Sequence, residues 1–234
     1  MIPKHIVQTF PDPNIIPGRV SNEIARFLKI NDDYHYTLFS DTSMYAFVHQ
    51  YFDDNIRRAY DDLNSPVAKT DLWRYLFLYQ EGGVYLDMDA TIICTLSDFL
   101  SDSDSCLIST ENFKNLYVQW ALVFAPNHPI LELTINRVVK NIQTRRNPTV
   151  HGTTGPVPFA AGITDYYRKN PDLNFTWDSV TASSDFRLCV DDLCNRFYSR
   201  MYHGLFRHKY KGHEVLYDYM KEWRLEQKQG IYNE

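Results

Sequence analysis

Two aspartates, Asp87 and Asp89, stand two residues apart behind the short apolar segment 84–86. In an extended chain such side chains point to the same face, so we expect the two carboxylates to converge. Converging carboxylates repel each other unless a proton or cation lies between them, and hard oxygen ligands favour Mg²⁺, Mn²⁺ or Ca²⁺. Mg²⁺ or Mn²⁺ can keep one or two carboxylate ligands while it binds substrate phosphates. The pair therefore predicts a metal and diphosphate site.

A second polar pair, Asp71 and Arg74, lies three residues apart on the helix expected before the aspartates. The spacing places both on one helix face, where they could form no more than a surface ion pair. Alternatively, Asp71 could accept hydrogen bonds from sugar hydroxyls while Arg74 binds a sugar oxygen or a phosphate. The spacing alone leaves both interpretations open.

The same aspartates also suit another class of enzyme. Residues 86–91, Leu-Asp-Met-Asp-Ala-Thr, match the strand and D-x-D-x-T signature of haloacid dehalogenase-like phosphatases, with Asp87 as nucleophile and Asp89 as acid/base. Asp191 and Asp192 could be the later acidic motif of that family. Its signature usually lies on the first strand, however, whereas a helix and at least two strands precede it here. A carbohydrate-binding protein without turnover is the third interpretation.

Apolar periodicity predicts strands alternating with helices along the whole chain. Ser65 and Pro66 predict a helix start, and Gly82 with Gly83 predict its end. The expected strands are 6–10, 34–39, 84–86, 106–109, 118–125 and 186–190. The expected helices are 20–30, 66–80 and 129–143, with others from Asp41, Asp54 and near His213, and a turn at 151–156. This alternation predicts one α/β domain over residues 1–234.

Composition excludes several classes of protein. The formal net charge of −5 gives no general basic field, so we do not expect nucleic acid as a partner. The sequence contains no run approaching the ~18 apolar residues of a transmembrane helix and no signal-like opening, so we expect a cytoplasmic protein. The four cysteines are too few and too irregular for a disulfide scaffold, and we expect them to be reduced.

Residues 65–74 (Ser-Pro-Val-Ala-Lys-Thr-Asp-Leu-Trp-Arg) and 81–89 (Glu-Gly-Gly-Val-Tyr-Leu-Asp-Met-Asp) resemble the DXD sugar-binding region of a known glycosyltransferase family. This family includes yeast initiating mannosyltransferases and capsular polysaccharide enzymes, and is distantly related to clostridial toxin glucosyltransferase domains. Its pattern places Ser or Thr, Asp and Arg on the helix before Gly-Gly, and Thr70, Asp71 and Arg74 follow that order. Residues 2–10 resemble the usual opening of the family, although Phe10 replaces its Trp.

The resemblance implies an α/β fold of GT-A type, with a mixed central sheet flanked by helices. It further implies a UDP- or GDP-linked sugar donor, Mn²⁺ or Mg²⁺, and transfer with retention to a glycan or another hydroxyl acceptor. Carried over by residue, Asp87 and Asp89 bind the ribose and the metal–diphosphate unit, and Asp71 and Arg74 hold the donor sugar. By the same resemblance, Thr9 and Phe10 lie beside the base, and Tyr85 also contacts the donor.

Three histidines, His203, His208 and His213, recur every five residues within a basic segment. They could belong to a solvated loop, or they could supply cationic partners for a departing pyrophosphate. Two aspartates rarely complete an octahedral shell, and Mn²⁺ accepts histidine. We therefore predict His208 as the remaining protein ligand of the metal, with His203 in reserve.

Overall fold

The computed structural model describes residues 1–111, 116–177, 188–198, 202, 204–218 and 230–233. Among them, eight strands form a mixed sheet in the order β2-β1-β3-β6-β5-β9-β8-β7, and β10 pairs separately with β4. The strands are β1 His5–Thr9, β2 His35–Phe39, β3 Gly83–Leu86, β4 Ala90–Ile92, β5 Cys106–Ser109, β6 Ala121–Phe124, β7 Phe175–Trp177, β8 Leu188–Asp191, β9 Asn195–Tyr198 and β10 Phe206–His208. β1 is parallel to β2 and β3, whereas β6 is antiparallel to β3 and β5.

Helices accompany the sheet along the chain. They are α1 Gly18–Lys29, α2 Asp41–Tyr51, α3 Asp54–Asp62, α4 Pro66–Gln80, α5 Leu96–Phe99, α6 Pro129–Thr144, α7 Val150–Thr153 and α8 Pro156–Lys169. Short 3-10 helices cover Pro13–Ile15 and His213–Asp218. The fold is therefore mixed α/β, as expected.

Alternate residues of the central strands pack on opposite faces of the sheet. Val7 and Tyr85 belong to a cluster with the apolar residues of α2, α4, α6 and α8. Ile6 and Val84 belong to another cluster, which includes Phe27 of α1. Because both faces are covered, the central strands β3, β5 and β6 are buried throughout, and the carboxyl end of β3 emerges between two packed layers.

Two glycines are required where α4 turns into β3. Gly82 and Gly83 have φ values of 71° and 105°, which most other residues adopt only with strain. A Cβ at Gly83 would lie 2.5 Å from the His5 carbonyl oxygen, so β1 and β3 could not pair as closely. The Gly-Gly pair thus permits the turn that brings the Asp87 region to the end of its strand.

The structure corrects several expected elements. The turn expected at 151–156 contains α7 and the start of α8, and the strand expected at 118–125 is confined to Ala121–Phe124. The segment from His213 forms a 3-10 helix within the described residues. Residues 186–187 of the expected strand 186–190 lie outside the described residues, and β8 begins at Leu188. The sequence patterns did not identify β4, β7, β9 and β10.

Candidate functional site

The helix α4 carries Asp71 and Arg74 into the interior of the protein. The Ser65 hydroxyl accepts a hydrogen bond from the Ala68 backbone N–H at 3.2 Å, and Pro66 follows at the first helical position, as the sequence predicts. Every residue from Asp71 to Leu78 is buried. Asp71 and Arg74 expose only 8% and 7% of their side chains. They are therefore not a surface ion pair.

Arg74 joins the helix pair to the first aspartate of the DXD segment. Its Nη2 atom lies 2.9 Å from Asp71 Oδ1 and 3.4 Å from Asp87 Oδ1. Its Nη1 donates to the Gln119 carbonyl oxygen at 3.0 Å, and its guanidinium lies 4.7 Å from the centre of the Tyr85 ring. Arg74 Nε is buried with no hydrogen-bond partner among the described residues. One cation thus serves two carboxylates and retains an unused donor.

Asp87 is held by its neighbours on three sides. The Tyr85 hydroxyl donates to Asp87 Oδ1 at 2.6 Å. The Gln8 amide donates to the Asp87 carbonyl oxygen at 3.1 Å, and the Asp87 N–H donates to the Trp120 carbonyl oxygen at 2.8 Å. These contacts fix both the backbone and the carboxylate of Asp87. Gln8 and Trp120 were not predicted, although Gln8 lies within the opening motif at 2–10.

The segment from Asp87 to Asp89 is a turn and not an extended strand. β3 ends at Leu86, and the Ala90 N–H donates to the Asp87 carbonyl oxygen at 3.0 Å. The argument that alternation along an extended chain makes the two carboxylates converge is therefore wrong for this segment. The turn instead directs Asp87 toward Arg74, and it brings Asp89 to the start of β4.

Asp89 pairs with His208, which the sequence predicts as a metal ligand. His208 Nε2 lies 3.3 Å from Asp89 Oδ2, and the Lys209 N–H donates to the Asp89 carbonyl oxygen at 2.7 Å. β10 brings His208 opposite Ala90 in the antiparallel pair with β4. The Trp120 ring stacks on the imidazole, with centroids 4.9 Å apart and planes 6° from parallel. His203 lies outside the described residues.

Burial and charge act differently on the aspartates. Burial raises the pKa of Asp71 to about 6; Arg74 lowers this pKa, and the Asp87 charge raises it. Burial also opposes ionisation of Asp89, but the hydrogen bond and charge of His208 outweigh it and lower the pKa of Asp89. The charge of His208 thus favours the ionised form of Asp89, whereas burial favours the protonated form of Asp71.

Thr9 and Phe10, the residues predicted to lie beside the base, have different surroundings. Thr9 ends β1 and is mostly buried, and its hydroxyl hydrogen-bonds the Tyr85 side chain. Phe10 exposes only 1% of its surface and packs with Val20, Met88 and Leu216. Stacking of a base on Phe10 would require this cluster to open. Base contacts by Thr9 and Phe10 stay predictions.

The residues of the alternative phosphatase motif are not brought together. Asp191 ends β8, and three strands of the sheet lie between β8 and β3. At about 4.8 Å per strand, this separates the two strands by roughly 19 Å. Asp191 is instead engaged locally, because it accepts from Tyr167 and from both the backbone and side chain of Asn195. Asp191 therefore cannot join Asp87 and Asp89 in one phosphatase site.

The side chains at this site suit a hard divalent cation that shares its ligands with a substrate. Asp87 and Asp89 carry carboxylate oxygens and His208 an imidazole nitrogen, which are ligand types that Mn²⁺ accepts, but Asp89 contacts His208 whereas Asp87 contacts Arg74 and Tyr85. Within the described residues, no three His, Cys, Asp or Glu side chains form a group that could hold a metal by themselves. An ion here would take its remaining ligands from phosphate oxygens and water, as Mg²⁺ commonly does.

Comparison with known proteins finds the same sugar-binding region. The profile of the glycosyltransferase sugar-binding region containing the DXD motif matches residues 17–114. The resemblance to the DXD-containing glycosyltransferase family is confirmed. Of the residues discussed above, Asp71, Arg74, Asp87 and Asp89 lie within the matched region of this family.

Relatives of this family are similar to the chain beyond the matched region. An uncharacterised glycosyltransferase of Acanthamoeba polyphaga mimivirus is 29% identical over 161 residues, 67% of this chain and 62% of the relative. The initiation-specific α-1,6-mannosyltransferase of Schizosaccharomyces pombe is 27% identical over 70% of this chain and 48% of the relative. Inositol phosphoceramide mannosyltransferase 3 of the same organism is 30% identical over 76% of this chain and 49% of the relative. The chain thus spans about half to three fifths of these relatives.

A solved structure confirms the fold class. The glycosyltransferase PaToxG is similar to this chain with a TM-score of 0.60 and 19% identity, over 73% of this chain and 70% of that chain. The GT-A type of α/β fold, with its mixed central sheet flanked by helices, is therefore as the DXD family resemblance implies. No helix among the described residues is long and apolar enough to cross a membrane. The four cysteines are free thiols.

Proposed function

We propose that this chain is a metal-dependent glycosyltransferase that moves a sugar from a UDP- or GDP-linked donor to a hydroxyl of a glycan or another acceptor, with retention. The observation that carries the proposal is the contact of Arg74 with both Asp71 and Asp87. This contact joins the Asp71–Arg74 pair, which is suited to a sugar, to the Asp87 carboxylate, which is suited to a metal–diphosphate unit. A site for hydrolysis of a simple phosphate ester would not need the first pair.

Each residue of the site has a role that its contacts support. Asp71 accepts hydrogen bonds from the donor sugar, and Arg74 donates to a sugar oxygen or phosphate through its free Nε. The Tyr85 hydroxyl and Arg74 hold Asp87 in place, so its carboxylate is pre-oriented for the donor. Asp89 lies beside His208, and its carboxylate is the ligand type that a hard cation prefers.

Asp89 and His208, which lie 3.3 Å apart, would hold the Mn²⁺ or Mg²⁺ ion together with phosphate oxygens of the donor, and Asp87, which contacts Arg74 and Tyr85, stays the predicted second carboxylate ligand. When bound, the ion neutralises the negative charge that grows on a departing nucleoside diphosphate. Lys209, which is exposed, adds positive charge near Asp89, whereas Arg207 alternates with His208 on β10 and acts on Glu23.

The relatives guide the choice of donor. Two of the relatives compared above are named mannosyltransferases, so a mannosyl donor is the first to test. Their names give two different acceptor classes, and this chain spans about half of each. We therefore leave the acceptor as a hydroxyl compound. That residues 1–234 form one domain and that the chain is cytoplasmic stay predictions from the sequence.

The experiment is a panel of UDP- and GDP-linked sugars with Mn²⁺, with Mg²⁺ and with excess chelator, monitored by release of the nucleoside diphosphate. We expect one donor to be hydrolysed slowly, with the metal required, and Asp89→Asn to abolish release while the protein stays folded. Full activity in chelator would contradict the metal dependence. Release of phosphate from simple phosphate esters would favour the phosphatase, and sugar binding without turnover would favour the carbohydrate-binding protein.

A further inference from the structure

A buried hydroxyl holds Asp71 on the side opposite Arg74. Thr154, which follows α7, is fully buried. Its Oγ1 lies 3.0 Å from Asp71 Oδ2, whereas Arg74 Nη2 contacts Asp71 Oδ1 at 2.9 Å. Both carboxylate oxygens of Asp71 are thus held, one by a helix neighbour and one from a distant part of the chain. Each oxygen retains a lone pair that can accept from a ligand.

The single hydroxyl proton of Thr154 has two acceptors within reach. Besides Asp71, the Val150 carbonyl oxygen lies 3.2 Å from Thr154 Oγ1, one helical turn earlier. Hydrogen bonds to an ionised acceptor are shorter and about twice as strong as those between neutral groups. The proton therefore goes to Asp71 when its carboxyl is ionised. The Val150 carbonyl can take the proton only when Asp71 is itself protonated and can donate.

The position of Thr154 is determined by the local structure around α7. The Thr149 hydroxyl caps the helix by accepting from the Gly152 N–H at 3.1 Å. The Asn141 amide donates to the carbonyl oxygens of Gly152 and Thr153, both at 3.3 Å. A Cβ at Gly155 would lie 2.9 Å from the His151 Cα, so the chain turns there only because the residue is glycine. Thr154 is therefore presented to Asp71 by a packed turn.

We propose that Thr154 is a positioning residue for donor recognition, which holds the Asp71 carboxylate in the orientation that accepts from the donor sugar. This inference rests on the proposed function, because it assigns Thr154 to the same sugar-binding pair. Thr154 acts only through Asp71. Its loss should therefore weaken binding of the sugar part of the donor and leave the diphosphate and base contacts intact.

The test compares binding of a nucleotide sugar with binding of the matching free nucleoside diphosphate by isothermal titration calorimetry. Thr154→Val removes the hydroxyl with little change of volume, and Thr154→Ser keeps the hydroxyl. A hydrogen bond to a charged group is lost in the first variant, so we expect nucleotide-sugar affinity to fall about 10- to 100-fold. Nucleoside diphosphate affinity should change less than about 2-fold, and Thr154→Ser should recover most of the loss.

The matched control is Thr164→Val on α8. The Thr164 hydroxyl also donates to a carbonyl oxygen one helical turn earlier, that of Ala160 at 2.9 Å, but it is exposed and does not contact the site. This variant should bind both ligands as the wild type does. Urea unfolding checks that each variant folds. If Thr154→Val does not fold, Thr154→Ala, which removes the same hydroxyl, is used in its place.

A second arm separates positioning from general support of the fold. In an Asp71→Ala background, Thr154→Val should cause no further loss of nucleotide-sugar affinity, because the two residues act through one contact. Additive losses, an equal loss of nucleoside diphosphate affinity, or failure of Thr154→Ser to recover binding would overturn the role of Thr154 alone. A wild type that binds no nucleotide sugar in the panel would instead overturn the proposed function, and the recognition role with it.

Discussion

Replacement of Arg74 by methionine tests whether one buried cation holds the site together. Arg74→Met keeps an apolar stem of similar length and removes the guanidinium that contacts Asp71, Asp87 and the Gln119 carbonyl oxygen. Asp71, which has no other ion-pair partner in the part of the chain that the structure describes, then stays buried without a compensating charge. Asp87 retains the hydrogen bond from the Tyr85 hydroxyl and is partly exposed. The loss of Arg74 should therefore destabilise the Asp87 carboxylate less than the Asp71 carboxylate.

The magnitude follows from the burial of the pair. Removal of one partner from a buried ion pair costs about 3–5 kcal/mol of unfolding free energy, because it leaves an uncompensated charge inside the protein. For a chain of this size, about 2–4 °C of melting temperature is lost per kcal/mol, so the expected fall is roughly 6–20 °C. A surface pair of the same spacing would contribute less than about 1 kcal/mol.

The loss should depend on pH through Asp71. Burial already raises the pKa of Asp71 to about 6 in the presence of Arg74, so the folded protein holds the Asp71 proton more tightly than the unfolded chain does. The stability that Asp71 contributes is therefore present at low pH and is lost as the pH rises through 6. Without Arg74 the folded-state pKa rises further, and ionisation of Asp71 at pH 8 becomes more costly. At pH 5 a proton neutralises the carboxyl in both proteins. The destabilisation by Arg74→Met should therefore be larger at pH 8 than at pH 5.

Urea unfolding followed by circular dichroism at pH 5, 6, 7 and 8 measures this difference. The matched control is Arg57→Met on α3, because Arg57 pairs with Asp54 at the same i, i+3 spacing, at 3.4 Å, but with Asp54 largely exposed. It should change the unfolding free energy by less than about 1 kcal/mol at every pH. A loss in Arg74→Met no larger than in Arg57→Met, or one equal at pH 5 and pH 8, would refute the reasoning.

Two further predictions concern histidines. His208→Ala should raise the Mn²⁺ concentration needed for donor hydrolysis, with partial recovery by added metal, because it removes the nitrogen next to Asp89; an unchanged metal requirement would exclude His208 as a ligand. Burial lowers the pKa of His128 to about 4, and the hydrogen bond with Asn195 opposes this effect only in part. The neutral imidazole therefore favours the folded state above pH 6.5, and the free energy of unfolding should fall by about 3 kcal/mol as the pH drops to 4. In urea titrations His128→Asn, which keeps an N-cap acceptor, should lose this acid dependence relative to the wild type; identical pH profiles would contradict it.

Local signals in the sequence predicted α4 and the strand after it closely. A cap residue followed by proline, and a Gly-Gly pair at the other end, act through contacts within a few residues, so Pro66–Gln80 and Gly83–Leu86 could be identified without any tertiary information. The expected periodicity was less informative around α7. The Gly and Thr residues there predict a turn, but the Thr149 cap and packing against α6 stabilise a short helix.

The turn at Asp87 to Asp89 shows where local reasoning ends. Alternation along a strand predicted converging carboxylates, but the Gln8 amide and the Ala90 N–H both bond to the Asp87 carbonyl oxygen and stabilise a turn. The Gln8 contact joins residues 79 positions apart. No periodicity within the motif could have indicated it.

The sequence by itself therefore determined the elements around the motif, α4 and β3, the likeness to the family and the residue types at the site, because capping, turn chemistry and motif spacing are properties of neighbouring residues. Only the tertiary structure decided that Asp71 and Arg74 are buried, because helices and sheet pack around α4 on all sides. It also decided which distant groups meet the aspartates: Thr154, 83 residues from Asp71, and His208, brought to Asp89 by the pairing of β10 with β4. These contacts depend on the packing of the whole chain, which no local pattern encodes.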